Sequence, residues 1–219
     1  MNEQELKAFI NTVRRDFTIQ SLEEKTIDKN PIVQFTKWMD EAVKSSILDP
    51  YAMCISTADK EGVPSSRIVY LRDIIADSFV FYTNYDSRKG SEMKENPFAA
   101  ANFHWGELER QVNISGSIQK VVEEVSDAYF KSRPKSSKIG AWASYQSQIL
   151  SDRADLETRI EELTKKYATT EDVPRPPHWG GYQLIPTKIE FWQGRPSRLH
   201  DRIVFYWVEN EWTLKRLNP

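Results

Sequence analysis

The feature that most constrains the fold is a series of short apolar runs separated by turn-like segments. YAMCISTAD, SSRIVYLRDI and SFVFYTN are rich in β-branched and aromatic residues, and only DKEG and IADS separate them. Further strand candidates are FAAANFHW, RQVNISGSIQKV, YQLIPTKIEFWQ, RIVFYWVEN and EWTLKRL. Helices are inserted between groups of strands rather than alternating with them. This order predicts an α+β fold, mainly antiparallel β, rather than a doubly wound sheet.

The inserted helices are predicted from apolar residues at helical spacing. NPIVQFTKWMDEAVKSSILDP has Pro31 at a first helical position, and SRKGSEMKEN is a shorter candidate. Further helical segments are expected at 123–132, 136–145 and 151–167. The first thirty residues are polar and charged, and we expect a short helix with a mobile connection there. We therefore divide the chain into an N-terminal segment, 1–30, and one domain, 31–219.

Composition excludes several classes of function. The 219 residues carry a formal net charge of −2, which disfavours a nucleic-acid binder. His104, His178 and His200 are far apart, and Cys54 is the single cysteine, so neither a metal site nor a disulfide framework is expected. The start lacks a secretory apolar core, and no apolar run approaches transmembrane length. We expect a cytoplasmic protein without membrane or nucleic-acid partners.

Two arginines interrupt the run SSRIVYLRD. Arg67 shares the strand alternation of Val69 and Leu71, which places it on the apolar face, where an unpaired charge is costly. Arg72 lies on the other face. A lone arginine on a sheet more commonly faces solvent. Otherwise each arginine needs a strand end or an anionic partner, and a bound phosphate would serve.

FYTNYDSRKGSEMKEN also places basic residues where a bound anion would stabilise them, here at the start of a predicted helix. Ser87 is a candidate N-cap, with Arg88 and Lys89 in the first turn. Positive side chains there oppose the helix dipole unless an anion is bound. An exposed loop is the competing interpretation. No glycine-rich phosphate loop of the common types is present.

A third basic cluster lies in DAYFKSRPKSSKIGAWASYQSQ. Tyr129 and Arg133 share a helix face, Pro134 ends that helix, and Ser137 follows in the next turn. Together these groups can bind a phosphate monoester, although a surface arginine at a helix end is commoner. Polar groups that can read the edge of a heterocycle, or simply cap a helix, are Gln111, Gln146 and Ser147.

EFWQGRPSRLHDR concentrates positive charge beside aromatic residues. On an unbroken strand, one face would carry Trp192, Arg198, His200 and Arg202. Gly194 and Pro196 favour a kink between the first two. Such a face is either solvated or holds an anion. The sum of these clusters suits two phosphorylated ligands, one of them an aromatic cofactor.

These motifs, together with LERQVNISG, PPHWGGYQL and the terminal RLNP, resemble the pyridoxamine 5′-phosphate oxidase family from about Pro31 to Pro219. The resemblance implies an FMN-binding split β-barrel with peripheral helices, assembled as a homodimer with FMN at the subunit interface. It implies oxidation of pyridoxamine or pyridoxine 5′-phosphate to pyridoxal 5′-phosphate. O2 would be the acceptor and H2O2 a product, with NH3 released from the amine.

The resemblance also implies roles for individual residues. FMN would be bound by Arg67, Ile68, Val69, Tyr70, Leu71, Arg72, Tyr82, Thr83, Ser87, Arg88, Lys89, Gln111, Gln146, Ser147, Trp192 and Arg202. The substrate would be bound by Arg14, Phe17, Arg72, Tyr129, Arg133, Ser137, Arg198, Leu199 and His200. Arg198 and His200 would flank the pyridine ring as the catalytic pair. The N-terminal segment would act as a lid.

Three positions depart from the family pattern. Arg72 stands where lysine is usual, and a planar fork is not equivalent to a point charge at a phosphate. Phe17, in RRDF, lacks the hydroxyl of the family's RREY, and Asn218 replaces alanine. Two other functions stay open: a split-barrel flavin reductase with another substrate, and a non-catalytic carrier of FMN or pyridoxal phosphate.

Overall fold

Across residues 1–13 and 15–219, the part of the chain that it describes, the computed structural model contains six α-helices and nine β-strands. The helices are α1 (Glu3–Thr12), α2 (Pro31–Val43), α3 (Arg88–Glu95), α4 (Glu123–Ser132), α5 (Lys135–Ala143) and α6 (Arg153–Lys166). The strands are β1 (Ala52–Ala58), β2 (Pro64–Tyr70), β3 (Asp73–Ile75), β4 (Ser78–Asn84), β5 (Phe98–Trp105), β6 (Arg110–Lys120), β7 (Trp179–Gln193), β8 (Asp201–Val208) and β9 (Glu211–Leu217). Short 3-10 turns lie at Gly106–Leu108 and Pro196–Arg198.

All nine strands belong to one antiparallel sheet. Its order is β2-β1-β5-β6-β7-β4-β3, and β8 and β9 extend it from the second half of β7. β7 pairs with β6 along one side, and with first β4 and then β8 along the other. The predicted α+β fold on an antiparallel sheet is confirmed.

The two ends of this strand order meet at Arg72. Its backbone N–H donates to the carbonyl of Val80 on β4 at 2.8 Å, directly after β2 has ended at Tyr70. The sheet therefore curls towards a barrel. The run SSRIVYLRDI was predicted as one strand. It is instead two strands, β2 and β3, with a break at Arg72. Arg72 therefore lies at a strand end, which is one of the two environments expected for it.

Helix α2 fills the interior of the curled sheet. The Asn30 side chain caps it by accepting the N–H groups of Ile32 and Val33, at 2.8 and 3.3 Å. Phe35 is fully buried, and its ring centroid lies 4.9 Å from that of Phe79 on β4. The apolar face predicted from the spacing is thus the face that enters the core.

The N-terminal segment contributes to this core before α2 begins. Helix α1 is closed by a capping box between Asn2 and Glu5 and buries no side chain. Leu22 and Ile27, by contrast, are each 5% exposed and belong to the main apolar cluster. A domain boundary at residue 30 stays a prediction. Among the described residues, no helix has the length and apolar composition that a membrane span requires.

The connection between β7 and β8 corrects the alternation expected around His200. β7 ends at Gln193, a 3-10 turn follows, and β8 begins only at Asp201. Ser197 and Arg198 have left-handed φ values of 55° and 62°, so no strand alternation links Trp192 to Arg198. The kink expected from Gly194 and Pro196 is instead the turn that joins β7 and β8 into an antiparallel hairpin.

Candidate functional site

An open cleft of about 920 Å³ lies between β2, β4 and the starts of α3 and α5. Its lining brings together most residues of the three predicted anion-binding clusters. The predicted site residues that line it are Arg67, Ile68, Val69, Tyr70, Arg72, Tyr82, Thr83, Lys89, Tyr129, Arg133, Ser137 and Gln146. We call this region the cleft.

A buried carboxylate supports one corner of the cleft. Glu92 accepts hydrogen bonds from Ser65 and Thr57, from Arg67 at 3.3 Å and from Arg88 at 2.8 Å. Burial alone would raise its pKa, but these hydrogen bonds and the charge of Arg67 lower the pKa to about 2. Glu92 therefore stays ionised and fixes Arg67. Sequence reasoning missed Glu92, although its position four residues after Arg88 on α3 was a usable signal.

Lys89 is the most unusual cation of the cleft. It is buried, and within residues 1–13 and 15–219 its Nζ hydrogen-bonds only neutral oxygens, those of Thr83, Ser87 and Gln146, the last at 2.8 Å. Burial, reinforced by the charge of Arg67, lowers the pKa of Lys89 to about 8. A buried ammonium without a carboxylate partner is suited to receiving an anion.

Ser87 takes the predicted capping position at the start of α3. Its hydroxyl accepts the N–H of Gly90 at 3.4 Å and donates to the carbonyl of Asn84 at 2.7 Å. The side chain is fully buried beneath the cleft rather than lining it. The N-cap prediction is confirmed, whereas contact of Ser87 with a cofactor stays a prediction.

Stacked rings form one wall of the cleft. The rings of Tyr82 and Tyr129 are nearly parallel, with centroids 3.8 Å apart, and Trp179 stacks on Tyr82 at 5.5 Å. Burial raises the pKa of Tyr82 to about 12, so its phenol is neutral at ordinary pH. The predicted list lacked Trp179, although it stands in PPHWGG, a motif that carried the resemblance.

Arg133 closes the far corner of the cleft. Its guanidinium lies 4.6 Å from the ring centroid of Trp179. Within the described chain, its buried Nη1 has no hydrogen-bond partner. Burial lowers the pKa of Arg133, and the charge of Arg72 adds to this effect. Ser137 lies in the first turn of α5. Among the described residues, no side chain caps the N-terminus of this helix. Open helix N–H groups and an orphaned guanidinium form a phosphate-binding arrangement.

Arg72 is held at the rim of the cleft by two tyrosines. Its guanidinium lies 4.9 Å from the Tyr70 ring and 5.5 Å from the Tyr51 ring. Both phenols donate to Asp49, at 3.2 and 2.8 Å. These contacts orient the planar fork of Arg72 without neutralising it.

The remaining aromatic and basic candidates lie at the other end of β7. Trp192 comes thirteen residues after Trp179, and a strand path of that length runs about 43 Å at about 3.3 Å per residue. Trp192 pairs with Gln111 on β6 and with Arg202 on β8. We call the group formed by Phe17, Trp192, Arg198 and His200 the histidine pocket.

Aromatic packing defines the histidine pocket. The Phe17 ring meets those of Trp192 and His200 edge-on, with centroids 5.8 and 5.4 Å apart, and Trp192 lies 4.5 Å from His200. Gly194 leaves room for this packing, because a Cβ there would lie 2.6 Å from Phe17 Cδ1. Sequence reasoning used Gly194 only as a kink.

The state of the His200 ring is set by its neighbours. Its Nδ1 accepts the backbone N–H of Arg195 at 3.1 Å, so in the neutral ring the proton resides on Nε2. Burial lowers the pKa of His200, and the charge of Arg198 lowers it further. The ring is therefore a neutral donor through Nε2 near neutral pH.

The other predicted residues lie outside both regions. Arg202 forms an ion pair with Glu190 at 2.8 Å, and the Arg88 side chain is largely exposed. Ser147 and Leu199 are exposed, whereas Leu71 packs against the core. The predicted contact at Arg14 lies outside the described residues.

Solved structures first identify the class of the fold. A pyridoxamine 5′-phosphate oxidase-related, FMN-binding protein from Nostoc punctiforme superimposes with a TM-score of 0.70 at 14% identity, covering 88% of this chain and 100% of that one. PhzG from Burkholderia lata, solved with tetrahydrophenazine-1-carboxylic acid, gives a TM-score of 0.87 at 30% identity, covering 94% and 100%. The fold is the FMN-binding split barrel.

Sequence comparisons then identify the family. The sequence model of the pyridoxamine 5′-phosphate oxidase family matches residues 39–167. The family model of the pyridoxine 5′-phosphate oxidase C-terminal dimerisation region matches residues 179–219. A pyridoxine/pyridoxamine 5′-phosphate oxidase from Gloeothece citriformis is 50% identical, covering 96% of this chain and 98% of its own. One from Paraburkholderia phytofirmans is 49% identical, covering 94% and 97%. The chain belongs to the pyridoxamine 5′-phosphate oxidase family.

Proposed function

We propose that this protein oxidises pyridoxamine 5′-phosphate and pyridoxine 5′-phosphate to pyridoxal 5′-phosphate, with FMN as cofactor and O2 as electron acceptor. H2O2 is the second product, and with the amine substrate one water molecule is consumed to hydrolyse the imine and release NH3. The observation that carries the proposal is the pair of unneutralised cations, Lys89 and Arg133, in one aromatic-walled cleft. Family membership and the names of relatives at about 50% identity support it.

The donor set at Lys89 fits the phosphate of FMN. Lys89 and Arg67 supply positive charge, Glu92 fixes Arg67, and Thr83 adds a hydroxyl. The strand β2 backbone from Arg67 to Val69 lines the same cleft and can contact a flat ring. We assign FMN to this side, with Tyr82 and Gln146 as neighbours.

The far corner of the cleft fits the phosphate of the substrate. Arg133 offers an unpartnered N–H, Ser137 a hydroxyl, Tyr129 a phenol and Arg72 an oriented guanidinium. Two phosphate-binding corners in one cleft match a reaction between two phosphorylated molecules. A reductase or a carrier for one flavin leaves the second corner unexplained.

A homodimer brings the histidine pocket to the cleft. The cleft and the histidine pocket lie near opposite ends of β7, along a strand path of about 43 Å, and we infer that one copy does not present both regions to one FMN molecule. The C-terminal segment 179–219, which carries Trp192, Arg198 and His200, matches a family dimerisation region. We propose that Trp192, Arg202 and Gln111 of one protomer complete the FMN site of its partner.

The catalytic pair acts on the substrate ring. Bound FMN would supply the two-electron acceptor for the C4′ carbon and return those electrons to O2. His200, a neutral donor through Nε2, can hydrogen-bond an oxygen of the substrate. The guanidinium of Arg198 disfavours protonation of the substrate amine and favours deprotonation of the substrate alcohol, the forms from which C4′ can be oxidised. Phe17 and Trp192 exclude water from the His200 ring.

The test is an absorption spectrum of the FMN-loaded protein under anaerobic conditions. Addition of pyridoxine 5′-phosphate is expected to bleach the flavin bands, and air is expected to restore them as pyridoxal 5′-phosphate forms. Phosphate-free pyridoxine is the control and should bleach far more slowly. Flavin bands that stay unchanged with both phosphorylated vitamins would contradict the proposal.

The similarity to PhzG gives this test a second arm. The ligand in that structure is a carboxylic acid of a tetrahydrophenazine, which carries no phosphate. If that compound bleached the flavin while the phosphorylated vitamins did not, the substrate assignment would be wrong and the cofactor assignment would stand.

A further inference from the structure

One carboxylate joins three separate segments beside the histidine pocket. Asp201, the first residue of β8, accepts the N–H of Leu22 at 3.0 Å and a hydrogen bond from Arg216 Nη1 at 2.8 Å. Its Oδ2 also lies 3.5 Å from Arg195 Nε. The segments are the N-terminal chain, the β7–β8 connection and β9. The mechanism proposed above makes no use of Asp201.

The first segment carries Phe17 to the pocket. We call residues 15–24 the strap. Glu109 anchors its beginning by accepting the N–H of Ile19 at 3.1 Å and a hydrogen bond from Arg15 at 3.2 Å. Its end is anchored at Leu22, whose N–H binds Asp201 and whose carbonyl accepts from Arg216 at 2.9 Å. Phe17 lies between Arg15 and Ile19, both of which bind Glu109, and five residues before the Leu22 anchor.

The second segment is the turn from Arg195 to His200. Its backbone passes through left-handed conformations at Ser197 and Arg198, which cost energy in non-glycine residues. Arg195 links this turn to the rest of the molecule, because its backbone donates to His200 and its side chain reaches Asp201 and the carbonyl of Gln20. A fixed Arg195 therefore fixes the hydrogen bond at His200 Nδ1.

We propose that Asp201 is a positioning residue, which holds Arg195 and Leu22 so that the N–H of Arg195 stays on His200 Nδ1 and Phe17 stays against the His200 ring. Its effect on turnover rests on the proposed function, whereas its effect on the ring does not. Arg198 is the charged group that acts on the His200 ring. The other charged groups of the network that holds the turn and the strap are Arg195, Asp201, Arg216, Glu24, Arg15 and Glu109.

The charge of Asp201 is essential to this role. Its two oxygens serve a backbone N–H and two guanidinium groups at once. An asparagine keeps one acceptor oxygen but turns an NH2 group towards a cation or an N–H. Arg216 keeps its second carboxylate, Glu24, in the Asp201→Asn variant, so the strap end and β9 remain joined.

The experiment compares Asp201→Asn with Asp28→Asn in the full chain. Asp28 is a matched control, because it also pairs with a cation, Lys37 at 2.7 Å, and accepts a backbone N–H, yet lies in a different network. The first readout is the 15N spectrum of the His200 ring, assigned with His200→Gln, in the FMN-loaded protein. The second is kcat and KM for pyridoxine 5′-phosphate across pH.

In Asp201→Asn we expect the His200 ring to change from one Nε2-protonated tautomer to a mixture. We expect kcat to fall on the order of tenfold to a hundredfold, because the ring loses its fixed orientation, while FMN stays bound. Asp28→Asn should match the wild type in both readouts. An unchanged His200 spectrum in Asp201→Asn overturns the proposal.

Two further outcomes are decisive. If the wild type does not turn over the phosphorylated vitamins but Asp201→Asn still changes the His200 spectrum, the proposed function fails and the positioning role stands. If Asp201→Asn does not fold, Arg195→Met removes the side-chain links of the turn to Asp201 and to the carbonyl of Gln20 and leaves Asp201 in place. That variant must then reproduce the tautomer mixture, and a wild-type spectrum overturns the role.

Discussion

The cleft and the histidine pocket differ in how their positive charges are held, although β7 reaches both. In the cleft, Lys89 has only neutral hydrogen-bond partners, and Arg133 Nη1 has none among the described residues. Beside the histidine pocket, Arg202 is paired with Glu190, and Arg216 with Asp201 and Glu24. The cleft therefore keeps two cations without a carboxylate partner among the described residues, whereas Arg202 and Arg216 beside the histidine pocket are both paired.

The backbone that carries the side chains also differs between the cleft and the histidine pocket. The cleft is built mainly from strands β2 and β4 and from helices α3, α4 and α5 with their ends, which hold most of its side chains on regular elements. The histidine pocket is built from a turn with left-handed residues and from a strap held by hydrogen bonds. Free cations on a rigid frame suit the binding of anions. A neutral ring on a braced turn suits proton placement during chemistry.

Removal of Glu92 is the strongest test of the rigid frame. Glu92→Gln leaves Arg67 without its carboxylate, and we expect the free energy of unfolding to fall by about 3 kcal/mol. The stabilisation is present above the ordinary pKa of a glutamate, near 4.5, and is lost as pH falls towards about 2. Urea unfolding at several pH values measures it. Glu95→Gln, an exposed change on the same helix, should have almost no effect, and equal losses would contradict this account.

Arg133→Met tests whether the orphaned cation is reserved for the substrate. A hydrogen bond to a charged group contributes about 1.5–3 kcal/mol, so KM for pyridoxine 5′-phosphate should rise roughly tenfold to a hundredfold. FMN affinity should stay near that of the wild type, because FMN is assigned to the Lys89 side. Steady-state kinetics and FMN titration measure the two quantities. Arg153→Met on exposed α6 is the control. If Arg133→Met weakened FMN binding as much as it raised KM, the two corners would form one site.

The pH dependence of FMN affinity tests Lys89. Below its pKa of about 8 the ammonium is charged, so affinity should be full there and fall by up to about tenfold per pH unit above it. Fluorescence titration of FMN between pH 7 and 9 measures the slope. Lys89→Met should bind weakly with a flat profile, whereas Lys94→Met should keep the wild-type slope. A wild-type profile without a slope would show that Lys89 does not contact the phosphate.

The stability of the ligand-free protein should respond in the opposite sense. The unfolded chain holds the lysine proton up to its ordinary pKa of 10.5, so burial of the ammonium destabilises the fold below about pH 8. That penalty is relieved as pH rises from about 8 to 10.5.

Gly194→Ala is the mildest test and concerns the histidine pocket alone. The added methyl group would displace Phe17, and we expect kcat to fall by roughly twofold to tenfold with FMN affinity unchanged. Gly106→Ala, whose methyl group meets only the end of the exposed His104 side chain, should behave as the wild type. An unchanged kcat in Gly194→Ala would contradict a role for the Phe17 packing in turnover.

Local sequence signals predicted the cleft better than the pocket. The alternation in β2 placed Arg67 on its inner face, and Ser87 was identified as the cap of α3, because both signals involve neighbours along the chain. The left-handed turn at Arg198 was not predicted, since the residues that hold its two ends, Gln20, Leu22 and Arg216, are distant in sequence. Glu92 was missed for a similar reason. Its partners on β1 and β2 become neighbours only in the folded sheet.

The length of β7 has a consequence for how activity is lost on heating. Hydrogen bonds to β6 run along one edge of this strand, and β4 and β8 cover most of the other. Its amide protons should therefore be among the last to exchange with deuterated solvent. Because Trp179 and Trp192 belong to this one strand, neither region can melt completely while the other persists. Inactivation should follow global unfolding as a single transition, without a species that binds phosphate but has lost the histidine pocket.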